Sequence, residues 1–588
     1  MKHKTITKKL FAALLSCSML ASALTGCGNS DEDAGKSSES QTPTSSVEAS
    51  ATDKQEQSTE ASAEEAFDPR GITEGVKLTV AAPEDTKIAD YNTNETTLMI
   101  EEALGVDLEF ITFPSADYES KLNVMVMSGE TLPDIIFQPG NGYTNWIGED
   151  ALLELTEYYE NPDYAANILN GAERCETDIQ KYLSLADGKV YAIPKWTQDP
   201  GSEVSQKFWI YKPWLEALDL EVPETTEEFY EFCKLVAETD LNGNGKHDEI
   251  GLTGTGIGAW FDVLMSAFVY AHEGDVGSEF RVVEDGQVGF AFTTEEWKEG
   301  LKYIRKFFEE GLIPTETLTQ SSDQYKTLLY SEEPVVGTFA AWCYDGTDVF
   351  RRNEYTYINA LEGPDGEKRV MYKKSLPDVG AVISADCENP EAAFLVCDYM
   401  CSETISLTSR YGKQGEDWDY WEDTQVENPE AYGAQMEGYD MYFISYGGVL
   451  NGINFWSSTE PQSKSYRQIG PIIRDKGTVI GRAQLMETTT DEQRVKLENE
   501  LLTWDSIMEA QAMADGEYYD YAPLTIEETE SVADIQSAMK SYVTECTSAF
   551  LSGSKDIDAE WDAYLAELEK IGIDTLLETY QTAYDRVH

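Results

Sequence analysis

The densest run of chemistry-bearing side chains lies at residues 240–249. It reads Asp240, Leu241, Asn242, Gly243, Asn244, Gly245, Lys246, His247, Asp248, Glu249. Oxygen side chains stand at the first, third, fifth and ninth places and a glycine at the sixth, the spacing of the first part of a calcium loop. Ca²⁺ is a hard cation that takes roughly six to eight oxygens. Asp240, Asn242, Asn244 and Asp248 would give side-chain oxygens, Lys246 its carbonyl, and Gly245 the sharp turn. The twelfth place, where a bidentate Glu belongs, is Gly251. Glu249, at the tenth, is the candidate replacement. With a single such loop and no switch element beside it, the ion's role would be to pin the loop.

Catalytic material is scarce. The only histidines are His3, His247, His272 and His588. A Ser-His-Asp triad, a Cys-His dyad or an HExxH zinc site therefore has almost nothing to draw on. No phosphate-binding glycine loop follows a strand. A carboxylate-pair glycosidase stays open, because 109 acidic residues offer many pairs. Aromatic residues are plentiful, and sugar rings stack on indole and phenol faces while their hydroxyls take polar partners. Trp146, Trp196, Trp260, Trp342, Tyr344, Trp418 and Trp456 sit near Gly, Asp or Asn in loop-like contexts. Each by itself is more often core than site, but some should line a cleft.

The elements that position these residues read as α/β. Strands are expected at 76–82, 108–113 and 133–137, with helices at 99–104 and 118–128 between them. Strands alternating with helices argue for a mainly parallel sheet. Ligands in such sheets bind beyond the carboxyl ends of strands. Gln138, Asn141 and Trp146 follow the third strand at that place. Thr225 with Glu228 is a capping-box pattern, opening a helix with Phe229, Phe232, Cys233 and Val236 on one face. Asn389-Pro390-Glu391 suggests an N-cap and a first-turn proline, followed by Ala393, Val396, Cys397 and Met400. Trp561, Leu565 and Leu568 form a late stripe, and Gly572 is a candidate C-cap.

The amino terminus supplies an address. Lys2, Lys4, Lys8 and Lys9 precede an apolar run from Leu10 to Leu20 that is too short for a bilayer span. It ends in Leu24-Thr25-Gly26-Cys27, which resembles a bacterial lipobox. Residues 1–26 are thus expected to be a lipoprotein signal peptide and Cys27 the lipidated residue, with palmitate-type chains burying in the membrane. Residues 27–70 are rich in Ser, Thr, Glu, Ala and Gln and read as a disordered tether. The whole chain of 588 residues carries a formal charge of −66. Such a surface repels nucleic acid and anionic lipid, so no nucleic-acid partner is expected and membrane contact is expected through the lipid alone. It argues more weakly against an anionic polysaccharide ligand, since a cleft can be locally basic. The seven cysteines beyond Cys17 and Cys27 have no tight spacing and read as buried thiols, not a disulfide framework.

Three stretches resemble family 1 extracellular solute-binding lipoproteins, the carbohydrate-binding subunits of bacterial ABC importers. One runs from Tyr211-Lys212-Pro213-Trp214-Leu215 through Val222-Pro223 into the 240–253 loop. The second is 389–403 with 411–421. The third is the C-terminal run from Asp534 through Trp561 to Tyr584. The family's calcium loop often has Pro where this chain has Leu241. A Gly-x-Glu-Gly-x-Asp pattern maps onto Gly412 to Asp417, with Gln414 and Gly415 intervening. The resemblance covers about 71–588 and implies a two-lobed periplasmic-binding-protein-like fold, with a hinge and an inter-lobe ligand cleft. It places 71–195 plus 372–415 in lobe 1 and 196–371 plus 416–588 in lobe 2, with the loop in lobe 2. It implies capture of an oligosaccharide, delivery to ABC permease subunits, structural Ca²⁺, a monomer anchored on the extracytoplasmic face of a Gram-positive cell, and no catalysis. Candidate ligand contacts are Gln138, Asn141, Trp146, Trp196, Trp260, Trp342, Tyr344, Asp417, Trp418 and Trp456. A sugar-binding sensor or adhesin not coupled to transport is the alternative.

Overall fold

The computed structural model describes residues 67–140, 142–270, 281–342, 351–420, 441–443, 445–446, 449–450, 461–478, 491–514 and 521–588. In chain order the strands begin with β1 (Lys77–Glu84), β2 (Asp107–Pro114), β3 (Ile135–Phe137) and β4 (Ala192–Thr197). Next come β5 (Lys207–Tyr211), β6 (Ile250–Thr253), the hairpin β7 (Arg281–Glu284) and β8 (Gln287–Phe290), β9 (Val336–Ala341) and β10 (Tyr355–Ile358). The last are β11 (Asp378–Ile383), β12 (Trp418–Tyr420), β13 (Met441–Phe443), β14 (Ser445–Tyr446), β15 (Val449–Leu450) and β16 (Ile472–Arg474).

Two sheets define two lobes. The larger has six strands in the order β16-β4-β11-β3-β1-β2, parallel throughout except for β11. Its central strands are covered on both faces, as parallel sheets require, and β3 (Ile135, Ile136, Phe137) is wholly buried. At the open edge, β2 alternates instead, hiding Leu108 and Phe110 and exposing its odd-numbered neighbours. The smaller sheet has the order β10-β5-β9-β6, with β6 parallel to β9 and the other pairs antiparallel. Its core takes in Phe208, Trp209, Phe229, Phe232, Trp260 and Trp297, and extends into the C-terminal helices Ile526–Ser552, Ile557–Ile571 and Ile573–Val587.

Local rules explain several boundaries. The helix Thr226–Glu238 opens on the expected capping box, Thr225 Oγ1 accepting from the Glu228 amide while the Glu228 carboxylate accepts from the Thr225 amide. It buries Phe229, Phe232, Cys233 and Val236. Gly572 ends the helix Ile557–Ile571 at φ 119°, a left-handed conformation that suits glycine, and the next helix starts at once.

Other boundaries differ. The first major helix spans Glu95–Leu104, not 99–104. Its polar first turn hides the start, and Asn94 caps it by accepting from the Thr96 amide. Pro390 does open the helix Pro390–Met400, but the Asn389 side chain makes no cap. The assignment of all of 416–588 to the second lobe needs one correction. β16 pairs with β4 in the larger sheet, Gln462 bridges to Ile88, and Tyr466 is buried in the larger sheet's core. A three-residue strand carries too short a pattern to be assigned from sequence.

Two crossings between the sheets are stitched together. The chain passes from β4 to β5 through 198–206 and returns from β10 to β11 through 359–377. The Lys373 amide donates to Glu203 O (2.7 Å), the Ser375 amide to Glu203 Oε1 (3.1 Å) and Ser375 Oγ to Thr197 O (2.9 Å). Gln511, on the helix Asp491–Met513, donates to Glu203 Oε2 (2.9 Å). Burial raises the Glu203 carboxyl pKa, and the Ser375 amide and the Gln511 side chain, which donate to that carboxyl, oppose the shift.

Candidate functional site

A cavity of about 640 Å³ opens at the carboxyl edge of the larger sheet. Its walls come from the end of β1 (Glu84, Asp85, Thr86), the residue after β2 (Ser115), the helix Tyr118–Ser128 (Tyr118, Glu119), the residue after β3 (Gln138), β4 (Lys195) and the turn before β16 (Arg467, Ile469). This is where an open α/β sheet presents its strand ends to a ligand. The Tyr118 hydroxyl donates to Ala81 O (3.1 Å) and Phe137 O (2.6 Å), tying the middle of β1 and the end of β3 to one side chain. Burial drives that phenol far above its ordinary pKa, so it stays a neutral donor. Burial also lowers the Lys195 pKa, with Asp378 opposing.

Backbone strain gathers here. Gln138 (φ 46°), Arg467 (φ 51°) and Gln468 (φ 63°) are non-glycine residues in the left-handed region, a conformation that persists only where surroundings enforce it. They enforce one another: Gln138 Nε2 donates to Gln468 O (3.4 Å), the Gln468 amide donates to Ser409 O (3.1 Å), and Arg467 pairs with Asp85.

The sequence-derived ligand candidates divide. Gln138 lines the cavity. Trp342 follows β9, is 41 % exposed, and is held by its indole N–H on Gly201 O (3.2 Å). Trp146, Trp196, Trp260 and Trp418 are core side chains. Trp146 donates to Asn123 (2.6 Å) and Trp260 to Gly256 O (2.7 Å). Their loop-like contexts reflect helix starts and strand ends, not exposure. Asp417 is likewise buried, accepting from Lys464 Nζ (3.1 Å to each oxygen) and the Lys413 amide (2.9 Å), and so ties the 412–418 turn to the 462–466 segment. Asn141, Tyr344 and Trp456 lie outside the described residues, as do Cys27 and Cys343. Arg467, Lys195 and Asp85 went unnoticed in the sequence because nothing local marks them.

The 240–249 loop folds around its own oxygens. Gly243 and Gly245 take φ 73° and 79°. The Gly245 amide donates to Asp240 Oδ2 (2.9 Å), and Glu249 Oε1 accepts from the amides of Leu241 (2.7 Å) and Asn242 (3.0 Å). The Asn242 and Asn244 side-chain amides donate to Asp248, which lowers its pKa. Lys246 approaches Asp248 within 3.9 Å. Two carboxylate oxygens, Asp240 Oδ1 and Glu249 Oε2, are buried without any donor. That is the deficit a cation would satisfy. No cluster of three or more His, Cys, Asp or Glu poised for a metal occurs among the described residues, so amide and carbonyl oxygens would have to complete the set. Gly251 explains the departure at the twelfth place. A Cβ there would stand 2.7 Å from Cys233 Cβ and 2.9 Å from its Cα, so no glutamate fits.

Cys175, Cys233, Cys387, Cys397, Cys401 and Cys546 are free thiols, and all but Cys387 are buried. Burial raises the Cys175 and Cys387 pKa values to about 12, so neither is a nucleophile. No described helix is long and apolar enough to cross a membrane.

The model of the bacterial extracellular solute-binding protein family matches residues 90–405. The chain is 25% identical over 526 residues to the fructooligosaccharide ABC transporter substrate-binding protein FusA of Streptococcus pneumoniae, covering 87% of this chain and 89% of that one. Its fold is similar to that of an extracellular solute-binding protein from Bifidobacterium longum subsp. infantis (TM-score 0.71, 19% identity, 87% of this chain and 98% of that one). It is also similar to a FusA EF-hand mutant from S. pneumoniae in complex with fructo-nystose (TM-score 0.61, 23% identity, 87% and 99%).

Proposed function

We propose, for a chain that belongs to the bacterial extracellular solute-binding protein family, that it captures an oligosaccharide between its two lobes and hands it to an ABC-type permease. The cavity at the carboxyl edge of the larger sheet carries the reading. It is polar, large enough for sugar rings, and bounded by residues from six separate places along the chain. FusA, matched along most of both chains, is named for a fructooligosaccharide transporter. Ligand stacking would come from Trp342 and polar contacts from Gln138, with lobe closure working about the crossings that Glu203 joins. The ligand leaves unchanged, since the protein's task is binding.

The lipid on Cys27 and the tether at 27–70 keep the protein at the extracytoplasmic face of the membrane, near the permease. Ca²⁺ in the 240–249 loop would be held by Asp240, Asn242, Asn244, Asp248 and Glu249 with the Lys246 carbonyl. It would supply positive charge to the two donorless carboxylate oxygens and pin the loop. A FusA structure described as an EF-hand mutant supports reading such a loop in this family.

The experiment is thermal unfolding of the full chain against a panel of neutral and acidic oligosaccharides, followed by chromatography of the recovered sugar. Native-state binding at a hundredfold excess over Kd stabilises by ~2.7 kcal/mol. One sugar should raise the transition and return intact. Return of cleaved sugar would overturn the binding-protein reading, and a transition unmoved by the whole panel would overturn the oligosaccharide.

A further inference from the structure

The chain is overwhelmingly acidic, with 109 Asp and Glu against 43 Lys and Arg, yet four cations meet at one edge of the larger sheet. Lys195 and Arg467 line the cavity. Arg474 ends β16, and Arg410 sits at the end of the helix Glu403–Tyr411. Both guanidinium groups pack on one ring, Tyr411, at 5.0 Å for Arg474 and 5.4 Å for Arg410. The Gln468 amide on Ser409 O joins this helix to the cavity turn that carries Arg467.

Arg474 is the telling member. It is 2 % exposed, and its Nε and Nη1 are buried without an acceptor. The hydroxyls of Thr408 and Ser409, on the adjoining helix, are buried without partners too. Among the described residues, three acids of the adjoining segments are engaged with other cations: Asp475 and Glu403 pair with Arg174, and Asp85 with Arg467. Asp199, which faces Arg410, accepts from the Gly201 amide. Burial lowers the Arg410 pKa to about 10, and Arg474 and Arg467 add to that lowering. A guanidinium buried beside other cations is costly unless an anion joins it. A planar carboxylate matches its fork of N–H donors.

We propose that Arg474, with Arg410 and Arg467, forms an anion subsite at the carboxyl edge of the larger sheet, and that the captured oligosaccharide carries a uronic-acid carboxylate there. This rests on the oligosaccharide reading above and narrows its substrate class. Glu84 and Glu119, which also line the cavity, suit sugar hydroxyls at positions away from the carboxylate.

The test is calorimetric titration of the full chain with galacturonate, mannuronate and glucuronate trisaccharides, their methyl esters, and the neutral trisaccharide kestose. The expected result is one acid bound at least about tenfold more tightly than its ester, a preference lost in Arg474→Gln and partly kept in Arg474→Lys. Equal binding of acid and ester, or a preference that survives in folded Arg474→Gln, overturns the subsite. If Arg474→Gln does not fold, the wild-type ratio and Arg474→Lys decide in the same way. Kestose bound with no acid preferred leaves the oligosaccharide reading standing and removes the subsite. No saccharide bound at all removes both.

Discussion

The 240–249 loop and the cavity at the larger sheet's edge are both polar. They are assembled in opposite ways. The loop's donors and acceptors lie within ten consecutive residues, and its geometry follows from Gly243 and Gly245 at positive φ and from short-range bonds such as the Gly245 amide on Asp240. The cavity takes Asp85, Tyr118, Gln138, Lys195 and Arg467 from segments up to 382 positions apart, as in the Asp85–Arg467 pair. A local device is specified by its own sequence, whereas an assembled one exists only once the sheet has brought its strand ends together.

That contrast can be broken first, with the largest effect, at two tryptophans. Trp260 is a core side chain, packed edge-to-face against Phe261 and Phe308 and hydrogen-bonded to Gly256 O. Trp260→Ala should cost ~3–5 kcal/mol, read as a lower denaturant midpoint with an unchanged m-value. Trp342→Ala, at an exposed position, should stay within ~0.5 kcal/mol of wild type while weakening sugar binding. A loss of affinity without loss of stability in Trp260→Ala would reverse the assignment of the two.

Calcium comes next. Saturating CaCl₂ against chelator should raise the apparent stability by ~2.7 kcal/mol at a hundredfold excess over Kd. Asp240→Ala should abolish that increment and leave oligosaccharide affinity within about threefold of wild type, because no loop residue lines the cavity. Loss of sugar binding on chelation would join the two regions that the fold keeps apart.

The legibility of the sequence follows the same division. The alternation of strand and helix near the amino-terminal end, the Thr225 capping box and the oxygen spacing of the loop were readable because each is written in neighbouring residues. The family's two-lobed fold was readable from three longer segments. Trp146, Trp196, Trp260 and Trp418 were equivocal, since an indole beside Gly or Asp looks alike at a helix start and at a cleft. β16, the Asp85–Arg467 pair and Arg474 were not readable. Their meaning depends on neighbours hundreds of positions away, and a three-residue strand leaves no period to detect.

Asp398 shows what such a distant contact does. It lies on the helix Pro390–Met400 and caps the helix Ala166–Arg174, accepting from the amides of Asn167 (3.0 Å) and Ile168 (2.9 Å). Burial raises its pKa from 3.8 to about 6, with the amide donors opposing. The folded state therefore binds this proton more tightly than the unfolded state does. Its contribution is full below about 3.8 and is lost as pH rises through about 6. Comparing wild type with Asp398→Asn across that window should reveal a difference of ~2 kcal/mol between its ends, with wild type relatively more stable at the acid end. Parallel pH profiles would remove the role.

The smallest effect belongs to the local counterpart, the Thr225 cap. Its oxygen accepts the Glu228 amide at 3.2 Å at an exposed helix end. Removing it in Thr225→Ala should cost ~1 kcal/mol, because water can replace part of the bond. Glu228, whose pKa is lowered chiefly by the Glu224 amide, with the Thr225 amide and hydroxyl adding to that, keeps the amide contacts. The pH dependence of Thr225→Ala should therefore run nearly parallel to wild type between about pH 5 and 7, unlike that of Asp398→Asn. A cap written in adjacent residues would then differ from one assembled across 231 positions not in kind of bond but in burial, which makes the assembled one sensitive to protons. If Thr225→Ala instead changed the slope as strongly as Asp398→Asn, burial would not be what separates them.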